Sequence, residues 1–290
     1  MSSSYQAVIL AAGRGSRLAA ATQDWPKALL PIGPRSMVDP TETSFLRRQC
    51  ELLRAAGVDQ ITLVIGYQRE RILEVLPSWD LELEVVVNST PEIQTSGSLH
   101  SFQLATRSRF GVLDGTKQTL LMDADIVYDR RVLERILIAP ERSSLLVASA
   151  FDPGSEEVLV FGSIEAPRFI AKGLDAELAG GAPCLGEAVG IVKLAPLDHA
   201  LTRRALDWIL GDPDAPPGSL RRRGFGPARQ GSEHEELTQR LMCYGRMSAI
   251  VFGPELAFME VDSPDEYERC RKELYPRLLE SEAKLARVGR

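Results

Sequence analysis

Residues 6–33 read QAVILAAGRGSRLAAATQDWPKALLPIG. The apolar run Ala7–Leu10 breaks into Ala11, Ala12, Gly13, Arg14, Gly15, Ser16 and Arg17, and Pro26 and Lys27 follow one loop later. The spacing predicts a short buried strand that delivers a small-residue loop carrying two guanidinium groups. Gly13 and Gly15 lack the Cβ atoms that would keep backbone N–H groups away from an anion, and they allow positive φ where the loop curls. Arg14 and Arg17 offer forked, permanently charged donors to phosphate oxygens, and Lys27 offers a compact charge on a stem fixed by Pro26. No Gly-Lys-Ser/Thr follows the glycines, so this is not a Walker A loop, and the third glycine of the dinucleotide fingerprint is missing. Glycines alone would suit any strand-to-helix turn; joined to two arginines and Pro-Lys they read as phosphate-binding chemistry.

The 290-residue chain is long enough for one large α/β domain with additions. A net charge of −6 argues against a nucleic-acid partner. No stretch approaches the roughly 20 apolar residues that span a membrane, so the expectation is a cytoplasmic protein with no membrane partner. Cys50, Cys184, Cys243 and Cys270 are scattered without metal-ligand spacing, which predicts free thiols. Only three histidines occur, none paired at helical spacing, which argues against zinc.

Outward from the first loop, residues 41–56 are patterned as an amphipathic helix entered through Thr and Ser caps, and Gly57 ends it. Strands are expected at 61–65 and 83–88, with a helix at 69–76 between them; this is the rhythm of a parallel sheet. Residues 88–99 read as a polar loop ending in an N-cap-like Ser98, at the strand end where ligands of such sheets bind. The apolar run Thr119–Met122 ends in Asp123 and Asp125. Carboxylates at a strand tip are not buried unpaired, and a hard cation such as magnesium is their natural partner.

Beyond the Asp152-Pro153-Gly154 break, shorter strands at 158–164 and 169–172, then 186–194, are expected to form a smaller sheet closing one side of the crevice, with Lys172, Glu187 and Lys193 its polar residues of interest. Residues 211–231, with Arg221, Arg222, Arg223 and Arg229, read as a solvated loop, the alternative being a lid over an anionic substrate. Ser232 with Glu235 or Glu236 suggests a capping box for the helix at 233–243. Residues 257–261 form a last strand ending in Asp262, and Ser263-Pro264 opens the final helix.

The first stretch resembles the nucleotidyltransferases that join a nucleoside triphosphate to a phosphorylated small molecule, whose signature is Ala-Ala-Gly-x-Gly-x-Arg-(Leu/Met) followed by Pro-Lys-x-Leu. Residues 122–128, the Ala171-Lys172 strand end, residues 186–191 and residues 259–267 are similar to the phosphocholine and phosphonate cytidylyltransferase branch. The resemblance covers nearly the whole chain. It implies a Rossmann-like α/β fold with a mixed, mainly parallel sheet and a smaller β-containing substrate-side part. The divisions fall at about 1–150 for the nucleotide core, about 151–262 for the acceptor part and about 263–290 for the C-terminal helix.

The resemblance also implies roles. Leu10, Ala11, Ala12, Gly13, Gly15, Ser98 and Asp123 would line the nucleotide, Lys27 would stabilise the α-phosphate, and Arg14 and Arg17 would hold the leaving pyrophosphate. Asp125 and Asp262 would hold Mg²⁺, while Lys172, Glu187 and Glu235 would face the acceptor. Where that branch opens the helix near residue 233 with an aromatic-acid pair, this chain has Glu233-His234-Glu235. A quaternary ammonium is usually held by aromatic faces; the histidine therefore directs the expectation towards a phosphonate, a phosphorylated amine or another small phosphorylated alcohol, with CTP as donor. The rival readings are a sugar-1-phosphate nucleotidyltransferase using UTP, dTTP or GTP, and a non-catalytic nucleotide-binding regulatory subunit. A homodimer is the alternative to a monomer.

Overall fold

The computed structural model of the protein describes residues 4–18, 22–90, 93–151, 157–211 and 232–288. The opening strand β1 (Tyr5–Ala11) is buried from Gln6 to Ala11. Ala7, Ile9 and Ala11 enter one core and Val8 and Leu10 another. A strand with no face left for water belongs in the middle of a covered sheet.

β2 (Pro31–Pro34) and β3 (Glu42–Ser44) form an antiparallel ribbon that leads into α1 (Phe45–Ala55). The helix expected from residue 41 therefore starts later. Residues 42–44 are extended against β2, and Ser44 caps α1 by accepting the Arg47 N–H at 3.3 Å. Next come β4 (Gln60–Ile65), α2 (Arg69–Val75), β5 (Glu84–Val87), α3 (Ile93–Ala105) and β6 (Gln118–Asp123). The strand order β6-β1-β4-β5 is parallel throughout.

The expected 88–99 loop is helical from Ile93, and α3 breaks at Gly97, whose φ is 75°. The Ser232 carbonyl oxygen would lie 2.2 Å from a Cβ at Gly97, so the close crossing of two chain segments requires glycine there.

A turn at Ala124 and Asp125 separates β6 from β7 (Ile126–Tyr128). The chain continues through α4 (Arg130–Ile138), β8 (Ser144–Ala148), β9 (Val158–Gly162), β10 (Pro167–Lys172) and β11 (Cys184–Leu194). β11 runs antiparallel to β6, β8 and β9, so strands β9 and β10 are joined to the main sheet through β11 rather than standing apart from it. The last elements are α5 (His199–Leu210), α6 (His234–Cys243), β12 (Ser248–Phe252), β13 (Phe258–Glu260), α7 (Pro264–Arg269) and α8 (Tyr275–Val288). β12 is parallel to β8, and β13 is antiparallel to β7.

One face of the sheet is covered by α1, α2 and α4 through Leu46, Leu53, Ile72 and Leu133. The other is covered by α3, α5 and α6 through Phe102, Leu206 and Leu241. A third cluster, with Ile32, Phe45, Val127, Val261, Tyr275 and Leu278, seats α8 against the β7–β13 pair. All four cysteines are free thiols. Among the described residues no helix is long and apolar enough to cross a membrane. The arginines at 221–229 and the Asp152-Pro153-Gly154 break lie outside the described residues.

Lys193 has a structural post instead of a place in the crevice. It is fully buried, and its Nζ donates to the carbonyls of Ile136, Ala139 and Pro140 at 3.2, 3.1 and 2.9 Å, closing the C-terminal end of α4. Burial pushes the ammonium down to about 8, which still leaves it charged at neutral pH, the form that donates three bonds. Replacing it by an isosteric apolar residue orphans helix-end acceptors. Lys193→Met is expected to lower the unfolding free energy by about 2–4 kcal/mol, measured by urea denaturation, while nucleotide affinity stays unchanged.

Candidate active site

The parallel strands end on one side of the sheet, and there the first loop, the β6–β7 turn and the end of β13 converge. Lys27 sits on a single helical turn, Lys27–Leu29, after Pro26. Its stem packs against Gly15, where φ is +63° and a Cβ would lie 2.9 Å from Lys27 Cβ. Glycine at 15 thus lets the loop curl and lets the lysine lie beneath it. The lysine is 6% exposed.

Its Nζ bridges two carboxylates distant in sequence, Asp125 Oδ2 at 2.7 Å and Asp262 Oδ1 at 2.6 Å. Arg17 Nη2 takes the other oxygen of Asp262 at 2.6 Å. Burial works against the Lys27 charge, but the Asp125 and Asp262 carboxylates outweigh it and hold the ammonium above the ordinary lysine value. Burial alone would raise Asp262 too; Lys27 and then Arg17 overcome this and hold it below the usual carboxylate range.

A third carboxylate completes the group. Asp125, Glu260 and Asp262 each offer an oxygen, and these atoms all lie within 4.8 Å of one another. Burial and then the charges of Asp125 and Asp262 push Glu260 well above its ordinary value. The packing is set by backbone: β13 pairs with β7, Val261 N–H donates to the Asp125 carbonyl at 3.1 Å, and Ser263 and Glu266 close a capping box directly after Asp262. Three hard oxygen donors gathered around one point are a ligand set suited to a small divalent cation.

The cleft around this group has a volume of about 1160 Å³. Leu10, Ala11, Ala12, Gly13, Arg14, Gly15 and Arg17 line it on the first-loop side, with Ser98 and Asp123 beside them. Lys172 and Glu235 line it as well, together with Phe169, Ile170 and Ala188. The Lys172 charge also helps to lower Asp262. Arg14 lies over the Tyr67 ring, 5.5 Å from its centroid.

Glu187 does not line the cleft. The β11 residues that line it are Ala188, Gly190, Ile191 and Val192. The structure places Glu187 on β11, one residue before the cleft-lining Ala188.

The capping box expected from Ser232 is also absent. Glu233 is the N-cap of α6 with no side-chain cap bond. The end is closed from another element: Ser98 Oγ accepts the His234 N–H at 2.8 Å, and Ser98 N–H donates to the Glu233 carboxylate at 2.9 Å. Ser98, expected to touch nucleotide, therefore also locks the start of α6 to α3.

Two residues of the site escape sequence reading. Glu260 stands two positions before Asp262, a spacing that places both on one side of an extended chain. His234 is 5% exposed, and its Nε2 lies 2.9 Å from Asp123 Oδ2. Burial disfavours the imidazolium, yet Asp123 and then Glu235 raise its pKa to about 10. Asp123 is raised by burial and eased back by His234. The pair is an imidazolium–carboxylate contact at neutral pH.

Residues 7–187 match the family model described as the MobA-like NTP transferase domain, and the chain belongs to that family. Over 150 residues it is 32% identical to the CMP-5'-(3-aminopropyl)phosphonate synthase of Streptomyces rubellomurinus, covering 51% of this chain and 21% of that one. It is 28% identical over 141 residues to the CTP:phosphoglutamine cytidylyltransferase of Campylobacter jejuni, covering 49% and 51%. It is also 28% identical over 175 residues to mannose-1-phosphate guanylyltransferase 1 of Arabidopsis thaliana, covering 58% and 45%. The matched part of the chain thus spans between 21% and 51% of the length of these relatives. The inositol-1-phosphate CTP transferase from T. maritima shares the fold at a TM-score of 0.63 and 19% identity, over 94% of this chain and 96% of that one.

His234 sets a pH dependence. Its folded pKa lies above the ordinary 6.5, so its stabilising contribution is fully present below about pH 6.5 and lost as pH rises through about 10. His234→Gln is expected to be less stable by about 1–3 kcal/mol at pH 6.5. In thermal melts the gap to wild type should close towards pH 10; a gap that is constant or widens with pH contradicts the charged pair.

Proposed function

We propose that the chain transfers CMP from CTP to a small acceptor bearing a phosphate or phosphonate, releasing pyrophosphate. The observation that carries this reading is the Lys27 ammonium held between Asp125 and Asp262 at the mouth of the glycine loop. That arrangement gathers cationic donors and hard oxygen ligands where the α-phosphate of a triphosphate on the first loop would lie. The acceptor oxygen attacks the α-phosphorus, the bond to the bridging oxygen of the β-phosphate breaks, and pyrophosphate departs.

The attacking phosphate or phosphonate oxygen is already anionic, so no strong base is required. Catalysis rests on positioning and charge neutralisation. Lys27 faces the α-phosphate, Arg14 and Arg17 take the leaving group, and the backbone of residues 11–15 lines the nucleotide. Asp125, Glu260 and Asp262 fit a Mg²⁺ ion by donor type and mutual distance; such an ion neutralises phosphate charge. Lys172 and Glu235, which also line the cleft, give the acceptor one cationic and one anionic contact. Two relatives whose names specify a phosphonate product and a phosphoglutamine acceptor support this class of acceptor. The mannose-1-phosphate relative keeps the sugar-phosphate reading as the rival.

A pyrophosphate-release screen with CTP, UTP, dTTP and GTP against phosphonate, phosphoamine and sugar-1-phosphate acceptors tests the proposal. CTP with a non-sugar acceptor is the expected best pair. A preference for another nucleotide with a sugar phosphate replaces the reading by its rival, and nucleotide binding without turnover supports a regulatory subunit. Asp125→Ala and Lys27→Ala are each expected to slow release by roughly 100-fold or more, with the circular dichroism spectrum retained. Wild-type rates in either variant would sink the assignment.

A further inference from the structure

α1 carries two adjacent buried polar residues, Arg48 and Gln49. Arg48 serves the fold: it donates to the Tyr128 carbonyl at 3.3 Å and to the Glu282 carboxylate at 2.6 Å, tying α8 to α1. Gln49 serves a different segment. It is 1% exposed, and its Nε2 donates to the Asp123 carbonyl at 3.0 Å and to the Ile126 carbonyl at 3.4 Å. These two carbonyls bracket the turn between β6 and β7, the turn that presents Asp125.

The rest of the Gln49 amide is left unsatisfied. Its Oε1 is buried without a hydrogen-bond partner. An orphaned buried acceptor costs about 1–3 kcal/mol, so an apolar side chain would suit this core position better unless the turn needs the donor. Reversing the amide would set Oε1 against two carbonyl oxygens, so the hydrogen-bond network fixes its orientation. On its other side the turn is held by Val261 N–H on the Asp125 carbonyl at 3.1 Å. The backbone that aims Asp125 is thus pinned at residues 123, 125 and 126, and Gln49 supplies two of the three pins.

We infer that Gln49 is a positioning residue: acting through the turn backbone, without touching substrate, it sets the aim of the Asp125 carboxylate towards Glu260 and Asp262. The inference rests on the reading of those three carboxylates as a cation site. Groups that orient metal ligands from outside the ligand set typically govern affinity by about 10- to 100-fold.

The experiment titrates Mn²⁺ alone into the full chain by electron paramagnetic resonance, comparing wild type, Gln49→Met, Gln49→Asn and Leu53→Ala. Methionine keeps the length and removes the donor. Asparagine keeps a donor one methylene short, and it carries the comparison if the methionine variant does not fold. Leu53→Ala, on the same helix and in the same core, reports general destabilisation. The expected result is Mn²⁺ affinity weakened about 10- to 100-fold in Gln49→Met, a smaller loss in Gln49→Asn, and wild-type affinity in Leu53→Ala. Gln49 variants within about threefold of wild type, or the same loss in Leu53→Ala, overturn the inference. Wild type that binds no Mn²⁺ overturns it together with the cation site on which it rests. Wild type that binds Mn²⁺ but releases no pyrophosphate in the screen above overturns only the proposed reaction, and the affinity ratio still decides on Gln49.

Discussion

One buried ammonium organises this molecule. Lys27 is enclosed by protein, and an isolated charge there would not persist without partners. It finds them in Asp125 and Asp262, which reach it from the turn after β6 and from the end of β13. Each carboxylate needs the lysine as much as the lysine needs them, because Glu260 adds a third acid within 4.8 Å of both. Loop, turn and strand end must therefore meet at one point, and much of the fold around the cleft reads as the means of bringing them there. α8 seats the β7–β13 pair, the capping box at Ser263 fixes the chain just after Asp262, and Gly15 makes room for the lysine stem.

Local signals were legible in the sequence wherever a residue's role is decided by its near neighbours. The alternation-free run at 7–10 announced a buried strand, and the small residues after it announced a loop open to anions. Asp123 and Asp125 at the end of an apolar run marked a strand tip. What stayed hidden depends on pairings far apart in the chain. Glu260 joins the carboxylate group only because β13 pairs with β7, more than a hundred residues earlier. His234 looked like a substitute for an aromatic residue until its partner, Asp123, was known. Gln49 has no local signature, since its two acceptors are carbonyls, which every residue carries. Glu187 has suitable chemistry, yet the β11 residues that line the cleft are Ala188, Gly190, Ile191 and Val192.

The elements that line the cleft are also joined physically. The break at Gly97 lets Ser232 come close, and from there Ser98, Glu233 and His234 form a continuous set of hydrogen bonds that ends on Asp123. α3, α6 and β6, all of which line the cleft, are thus tied together by short contacts. The carboxylate-rich start of α6, with Glu233, Glu235 and Glu236, makes that junction strongly acidic, and the imidazolium of His234 offsets part of this charge.

The most direct measurement is a crystal structure of the chain grown with a non-hydrolysable CTP analogue and Mn²⁺, with the metal located by anomalous scattering. One strong anomalous peak is expected within bonding distance of Asp125 and Asp262, with Glu260 beside it. The triphosphate should lie along residues 11–15 with its α-phosphate next to Lys27. A nucleotide bound away from that loop, or a metal peak remote from the three carboxylates, would contradict it.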